Sequence, residues 1–172
     1  MRTLEHRRHS LRAPSGHLSP QGVRLARALG PSLPAFDLVV TSPRTRAVET
    51  AVALGFAVDD TDDALAEWPD DLSDAVERGG FAGAAAWLAQ PGNADAVKGY
   101  RRVMLDALRA VPDGGHGLIV SHLGVVEACV CAVLTSSLDP AALGGCVGVL
   151  EGVRLTFEAD RLTRAERCAA VP

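Results

Sequence analysis

Three short stretches carry residue types that could handle a phosphate. "RRHSLRAP" at 7–14 sets Arg7, Arg8 and Arg12 around His9; "SPRTR" brings Arg46 four residues after Ser42; "IVSHLG" puts His122 behind an apolar run. A guanidinium fork matches two phosphate oxygens at once and stays charged at any working pH. A neutral imidazole nitrogen can attack phosphorus and split a hard hydrolysis into two steps through an N-phosphorylated intermediate. Gathered at one point, Arg8, His9, Arg46 and His122 would make a cationic pocket for a dianionic phosphoryl group. Backbone N–H groups of Leu123 and Gly124, at the start of a following helix, would add to it. Phosphoryl transfer asks for charge complementarity at the equatorial oxygens and an in-line nucleophile. The arginines would then do the electrostatic work of a metal, so no metal and no cofactor are expected. Taken singly, each residue has a bland reading: a basic surface turn for Arg8 and His9, an exposed helix residue for Arg46, a satisfied buried histidine for His122. Their convergence decides the matter.

The elements that would bring them together are legible. "RTLEHRR" before His9 reads as a short strand, polar for the centre of a sheet. Residues 18–30 read as a helix capped by Ser19, opened by Pro20 and stopped by Gly30. "DLVVTS" is a buried strand ending at Ser42. A helix follows, with Ser42 as its N-cap, Pro43 in its first position and Gly55 as terminator. The same grammar returns as an apolar strand over 117–121, a turn at His122 and an apolar helix over 124–134. Strands alternating with helices imply parallel strands with helical crossovers, a three-layer α/β/α arrangement around a mostly parallel sheet. Ligands of such sheets bind beyond the carboxyl ends of the strands, where His9, Ser42 and His122 all fall. Residues 59–92 are too polar and glycine-broken for sheet core and are expected as helical and loop cover over the site. "ADAVKGYRRVMLDALRAV" reads as a long amphipathic helix, and the tail alternates like a strand pair turning at 158–160.

Composition limits the function classes. The 172 residues, 48% hydrophobic and 22% charged, fit one globular domain over 1–172. Seventeen basic residues against 21 acidic ones leave a net charge of −4, which argues against a nucleic-acid partner. No run approaches a membrane span, and the N-terminus lacks the apolar stretch of a signal peptide, so neither a membrane partner nor export is expected. Cys129, Cys131, Cys146 and Cys168 show no metal-ligand spacing and read as small hydrophobes or incidental thiols, favouring a reducing, cytoplasmic setting. His6 and His9 stand three apart but face different ways in an extended segment, so no metal pair is expected. His17 and His116 read as surface or loop residues, and Trp68 and Trp87 as packing.

"RRHS", "LSPQGVRLARALG", "VVTSPRTRAVETA" and "LIVSHLG", in this order, resemble the histidine phosphatase superfamily, whose fold is phosphoglycerate mutase-like. The resemblance covers residues 3–134. It implies that His9 accepts the phosphoryl group and that Arg8, Arg46 and His122 bind it. It also implies a general acid shortly after the third strand, which "ALAEWP" would supply as Glu67, kept protonated by the apolar neighbour Trp68. Such an acid contributes about 10²- to 10⁴-fold by protonating the leaving group. Ser10 and Leu123 stand where the family carries glycine; the Ser10 hydroxyl could donate to a phosphate oxygen, and Leu123 adds bulk at the pocket floor. "RHSLRAP" is similar to the acid phosphatase signature, which would make Arg12 a further phosphate contact, although Leu123 replaces the acidic residue of that branch. The implied activity is metal-independent hydrolysis of a small phosphoester or a phosphoprotein, including phosphohistidine. A mutase-type phosphotransferase and a phosphate- or phosphopeptide-binding module without turnover are the alternatives. Oligomeric state leaves no mark in the sequence.

Overall fold

The computed structural model describes residues 1–170. Strands β1 (Arg2–Arg8), β2 (Leu38–Thr41), β3 (Asp60–Thr61), β4 (His116–Ser121), β5 (Gly152–Glu158) and β6 (Arg161–Cys168) form one sheet in the order β3-β2-β4-β1-β5-β6. The first four in that order run parallel, and β5 and β6 are antiparallel. Period-two alternation sorts the strand side chains between two cores. Val39, Leu118 and Val120 pack with Ala26 and Leu29 of α1 (Pro20–Leu29) and Ala47, Ala51 and Leu54 of α2 (Thr45–Leu54). Leu4, Val40 and Ile119 pack on the other face, against α3 (Asp70–Leu88), α4 (Ala94–Ala110) and α5 (Val125–Val133). The architecture is three-layer α/β/α.

β1 is polar yet central, because its charges are partnered. The Glu5 carboxylate, 1% exposed, accepts from Arg7 Nε at 2.7 Å and from Arg154 Nε at 2.8 Å, while His6 shares a 2.6 Å hydrogen bond with Ser121 Oγ. Burial lowers the His6 pKa to about 3, so its ring is neutral.

Several boundaries depart from the sequence expectation. Ser19 caps α1 by accepting from Gly22 N, but Gly30 keeps right-handed torsions and enters a further 3₁₀ turn. Its role is close approach, since a Cβ there would sit 2.1 Å from Leu54 O. Ser42 and Pro43 lie outside α2, whose N-cap is Arg44. The Ser42 hydroxyl accepts from Arg44 N at 3.3 Å in a turn ahead of the helix and also bonds His122. Gly55 does end α2, at φ 99°. Residues 59–92 are more than cover: Asp60–Thr61 pairs with β2 as an edge strand, and Leu72, Val76, Phe81, Ala84 and Trp87 of α3 are core. α3 bends at Gly80 (φ 55°), where a Cβ would meet Gly144 O at 2.5 Å. The β5–β6 hairpin turns through Ala159 and Asp160, both at positive φ, as two-residue hairpins require. The four cysteines are free thiols, with Cys129 and Cys168 buried. Among the described residues no helix is long and apolar enough to cross a membrane.

Candidate active site

The chain order places β4 between β1 and β2, so successive crossovers leave β1 and β4 in opposite directions. This is the switch point at which parallel sheets open a crevice. Register does the rest. Arg8 is opposite Ser121 and Thr41 opposite Val120; the next residues continue the ladder, with His9 N donating to Ser121 O (2.9 Å) and Ser42 N donating to Val120 O (2.9 Å). His9, Ser42 and His122 therefore emerge side by side at the carboxyl edge.

His9 is held in one tautomer. Its Nδ1–H donates to Ser10 O at 2.6 Å, leaving Nε2 unprotonated as an acceptor, onto whose lone pair Arg46 Nε donates at 3.1 Å. His9 is 7% exposed; burial first, then the charges of Arg46, Arg8 and Arg12, lower its pKa to about 4, against a counter-effect from the Ser10 hydrogen bond. His122 lies with its ring centroid 5.1 Å from that of His9 and shares a 2.8 Å hydrogen bond through Nε2 with Ser42 Oγ. Burial, then Arg46 and His9, lower its pKa to about 2. Both imidazoles are thus neutral, and the positive charge of the pocket comes from the arginines.

Arg8 is half-buried and anchored by Nη1 donating to Val147 O (3.0 Å). Arg8 Nε and His122 Nδ1 are buried with no partner among the described residues. Arg12 and Arg44 are exposed at the rim, and none of Arg8, Arg12, Arg44 and Arg46 pairs with a carboxylate among the described residues. Buried donors and uncompensated guanidiniums at one edge fit an anion with several acceptor oxygens.

Two expected contributions take another form. Ser10 is fully buried with ordinary torsions: its hydroxyl donates to Gly22 O (2.8 Å) and its N–H to Thr50 Oγ1 (3.0 Å), so it ties the loop to α1 and α2 and is not free for phosphate. Glu67 is exposed and lines a separate cavity with Asp95, Gly99 and Tyr100; Trp68 faces the histidines instead. The Trp68 ring lies 4.6 Å from that of His122, with the guanidiniums of Arg44 and Arg46 each 5.7 Å from its centroid. Trp68 is therefore a wall of the site, and only Trp87 is purely core. Leu123 is half-buried and packs against the larger core. Exposed His17 pairs with Glu49 at 2.7 Å.

Sequence reasoning missed Glu127. It is fully buried in α5, with one carboxylate oxygen accepting from Gly124 N (2.7 Å) and the other from Val147 N (2.7 Å). Burial raises its pKa, and the backbone N–H donors oppose that. The carboxylate thus joins the turn after His122 to the loop whose carbonyl anchors Arg8. A signal existed: one acid in the otherwise apolar helix "VVEACVCAV" must be buried, hence partnered.

No curated protein matches the chain. Among solved structures, it is similar to Entamoeba histolytica phosphoserine phosphatase in complex with 3-phosphoglyceric acid (17% identity, 100% of each chain, TM-score 0.69). It is also similar to a putative alpha-ribazole-5'-P phosphatase from Escherichia coli (19% identity, 99% of this chain and 98% of that one, TM-score 0.68). A third is the mycobacterial glucosyl-3-phosphoglycerate phosphatase complex with VO3 (24% identity, 96% and 98%, TM-score 0.67). These likenesses establish the fold. A family model of the histidine phosphatase superfamily (branch 1) matches residues 5–163, beyond the expected 3–134 and into the β5–β6 hairpin. The chain belongs to the histidine phosphatase superfamily, branch 1.

Proposed function

We propose that the protein is a metal-independent phosphatase that works through a phosphohistidine on His9. The carrying observation is the His9 ring itself: Nδ1 tied to Ser10 O, and the Nε2 lone pair facing the Arg46 guanidinium at the switch point. A phosphoryl group drawn in by Arg8 and Arg46 would present phosphorus to that lone pair. Arg12 and Arg44 at the rim would attract the anion and orient the remainder of the substrate, a phosphorylated small molecule or a phosphoprotein. Attack forms the N–P bond while the bond to the leaving group breaks. Water then cleaves N–P, and both its protons leave with inorganic phosphate as dihydrogen phosphate. Neutral His122 would hydrogen-bond a phosphoryl oxygen, and the surrounding guanidiniums would stabilise charge on the equatorial oxygens.

The test is hydrolysis of p-nitrophenyl phosphate in EDTA by the native chain and by His9→Ala. Turnover that resists EDTA and falls to background in the variant is expected, with label from substrate phosphate trapped on His9. Turnover that survives loss of His9 overturns this mechanism. Intact retention of the ester by both proteins favours the binding module.

A further inference from the structure

Protonation of the leaving group is the step that the geometry leaves without a side chain. Residue 67 has extended backbone (φ −106°, ψ 118°), so Glu67 and Trp68 leave the chain on opposite sides. Trp68 takes the side of His122. Glu67 takes the other, in a cavity of about 270 Å³ with Ala64, Pro69 and Asp95. The Tyr100 hydroxyl donates to Glu67 O at 2.8 Å and holds this arrangement. Among the described residues no carboxylate pairs with His9, Arg46 or His122: Glu127 is held by Gly124 N and Val147 N, Glu5 by Arg7 and Arg154, Glu49 by His17 and Leu18 N, and Asp70 and Asp71 are exposed in the first turn of α3. Around His9 stand arginines, a neutral imidazole and an indole, none of which hands a proton to an alkoxide at neutral pH.

We infer that the substrate, on the phosphatase reading above, is a phosphoryl donor whose leaving group departs as a stable anion, an acyl phosphate or a phosphoanhydride, and not an alkyl phosphomonoester. In the first step the His9 Nε2 lone pair bonds phosphorus, and the electron pair of the breaking P–O bond stays on the departing carboxylate or phosphate oxygen, which takes no proton. Arg12 and Arg44 at the rim suit that departing anion. Hydrolysis of the phosphohistidine is unchanged.

The experiment is kcat/KM of the full chain for acetyl phosphate, pyrophosphate, p-nitrophenyl phosphate and ethyl phosphate in EDTA, with a series of substituted aryl phosphates. Acetyl phosphate or pyrophosphate is expected to exceed ethyl phosphate by at least the roughly 10²- to 10⁴-fold that a general acid would otherwise supply. The rate along the aryl series should fall steadily as leaving-group basicity rises. The faster of the acyl and anhydride donors identifies the source. A flat aryl series overturns the inference, as does ethyl phosphate turnover that is lost in Glu67→Gln; in both cases His9-dependent turnover leaves the phosphatase reading standing. Failure to hydrolyse any donor overturns both.

Discussion

At the scale of single residues, the nucleophilic role proposed for His9 needs an unprotonated nitrogen and a fixed tautomer. Burial and three guanidiniums supply the first, and the Ser10 carbonyl the second. A ring-proton NMR titration of the free protein should therefore show His9 neutral down to about pH 5, with its midpoint at about 4. A midpoint near 6.5 would mean that the ring is solvated and unguarded. Trp68→Ala removes the wall beside His122 and leaves Arg44 and Arg46 without their aromatic neighbour. Cation–π contacts of this kind contribute about 0.5–2 kcal/mol. KM for aryl phosphates should rise several-fold in the variant, with a smaller change in kcat. Histidines and arginines were legible from motif spacing. Trp68 and Glu67 were not, because whether a residue in a connecting loop faces the site or its neighbour's cavity depends on one backbone alternation that composition does not encode.

Among elements, the clearest legibility belongs to strands and helices whose ends carry their own chemistry: Ser19 and Pro20 opening α1, Gly55 closing α2, and the apolar β4 before His122. Ser42-Pro43 looked like a helix start by the same logic. The Ser42 hydroxyl accepts from Arg44 N but also serves His122, and the helix waits until Thr45. β3 was illegible because two residues of edge strand leave no period to detect. Packing between elements makes its own demands. A Cβ on Gly22 would lie 2.1 Å from Leu11 O, so Gly22→Ala must push α1 from the loop that Ser10 clamps. It should cost about 1–3 kcal/mol in urea unfolding and weaken phosphate binding together with stability. Glu127→Gln acts between α5 and the 144–150 loop. Its amide NH₂ would face a backbone N–H in place of an acceptor, at a cost of about 1–3 kcal/mol. Because Val147 also anchors Arg8, KM should rise more than kcat falls, and a purely structural role would leave that ratio unmoved.

For the whole molecule, three histidines are folded in their neutral forms: His6 at about 3, His9 at about 4 and His122 at about 2. In the unfolded chain each titrates near 6.5. Below that value the unfolded state binds more protons than the native one, so stability is lost as the pH is lowered, by about 1.4 kcal/mol per unit for each histidine. The contribution is complete above about pH 6.5 and declines toward the folded values. Urea midpoints should drop between pH 7 and pH 5, before carboxylate protonation dominates, and His6→Gln should flatten that slope by one histidine's share. A midpoint unchanged over this range would contradict the buried neutral rings. The four site arginines, which have no carboxylate partner among the described residues, also bear on stability. Like charges at close range repel, and an inorganic oxyanion would relieve that repulsion only in the native state. Buffer choice then becomes a thermodynamic variable. Melting in phosphate should occur at higher temperature than in a zwitterionic amine buffer of equal ionic strength, the native state gaining about 2.7 kcal/mol once phosphate stands at a hundred times its dissociation constant.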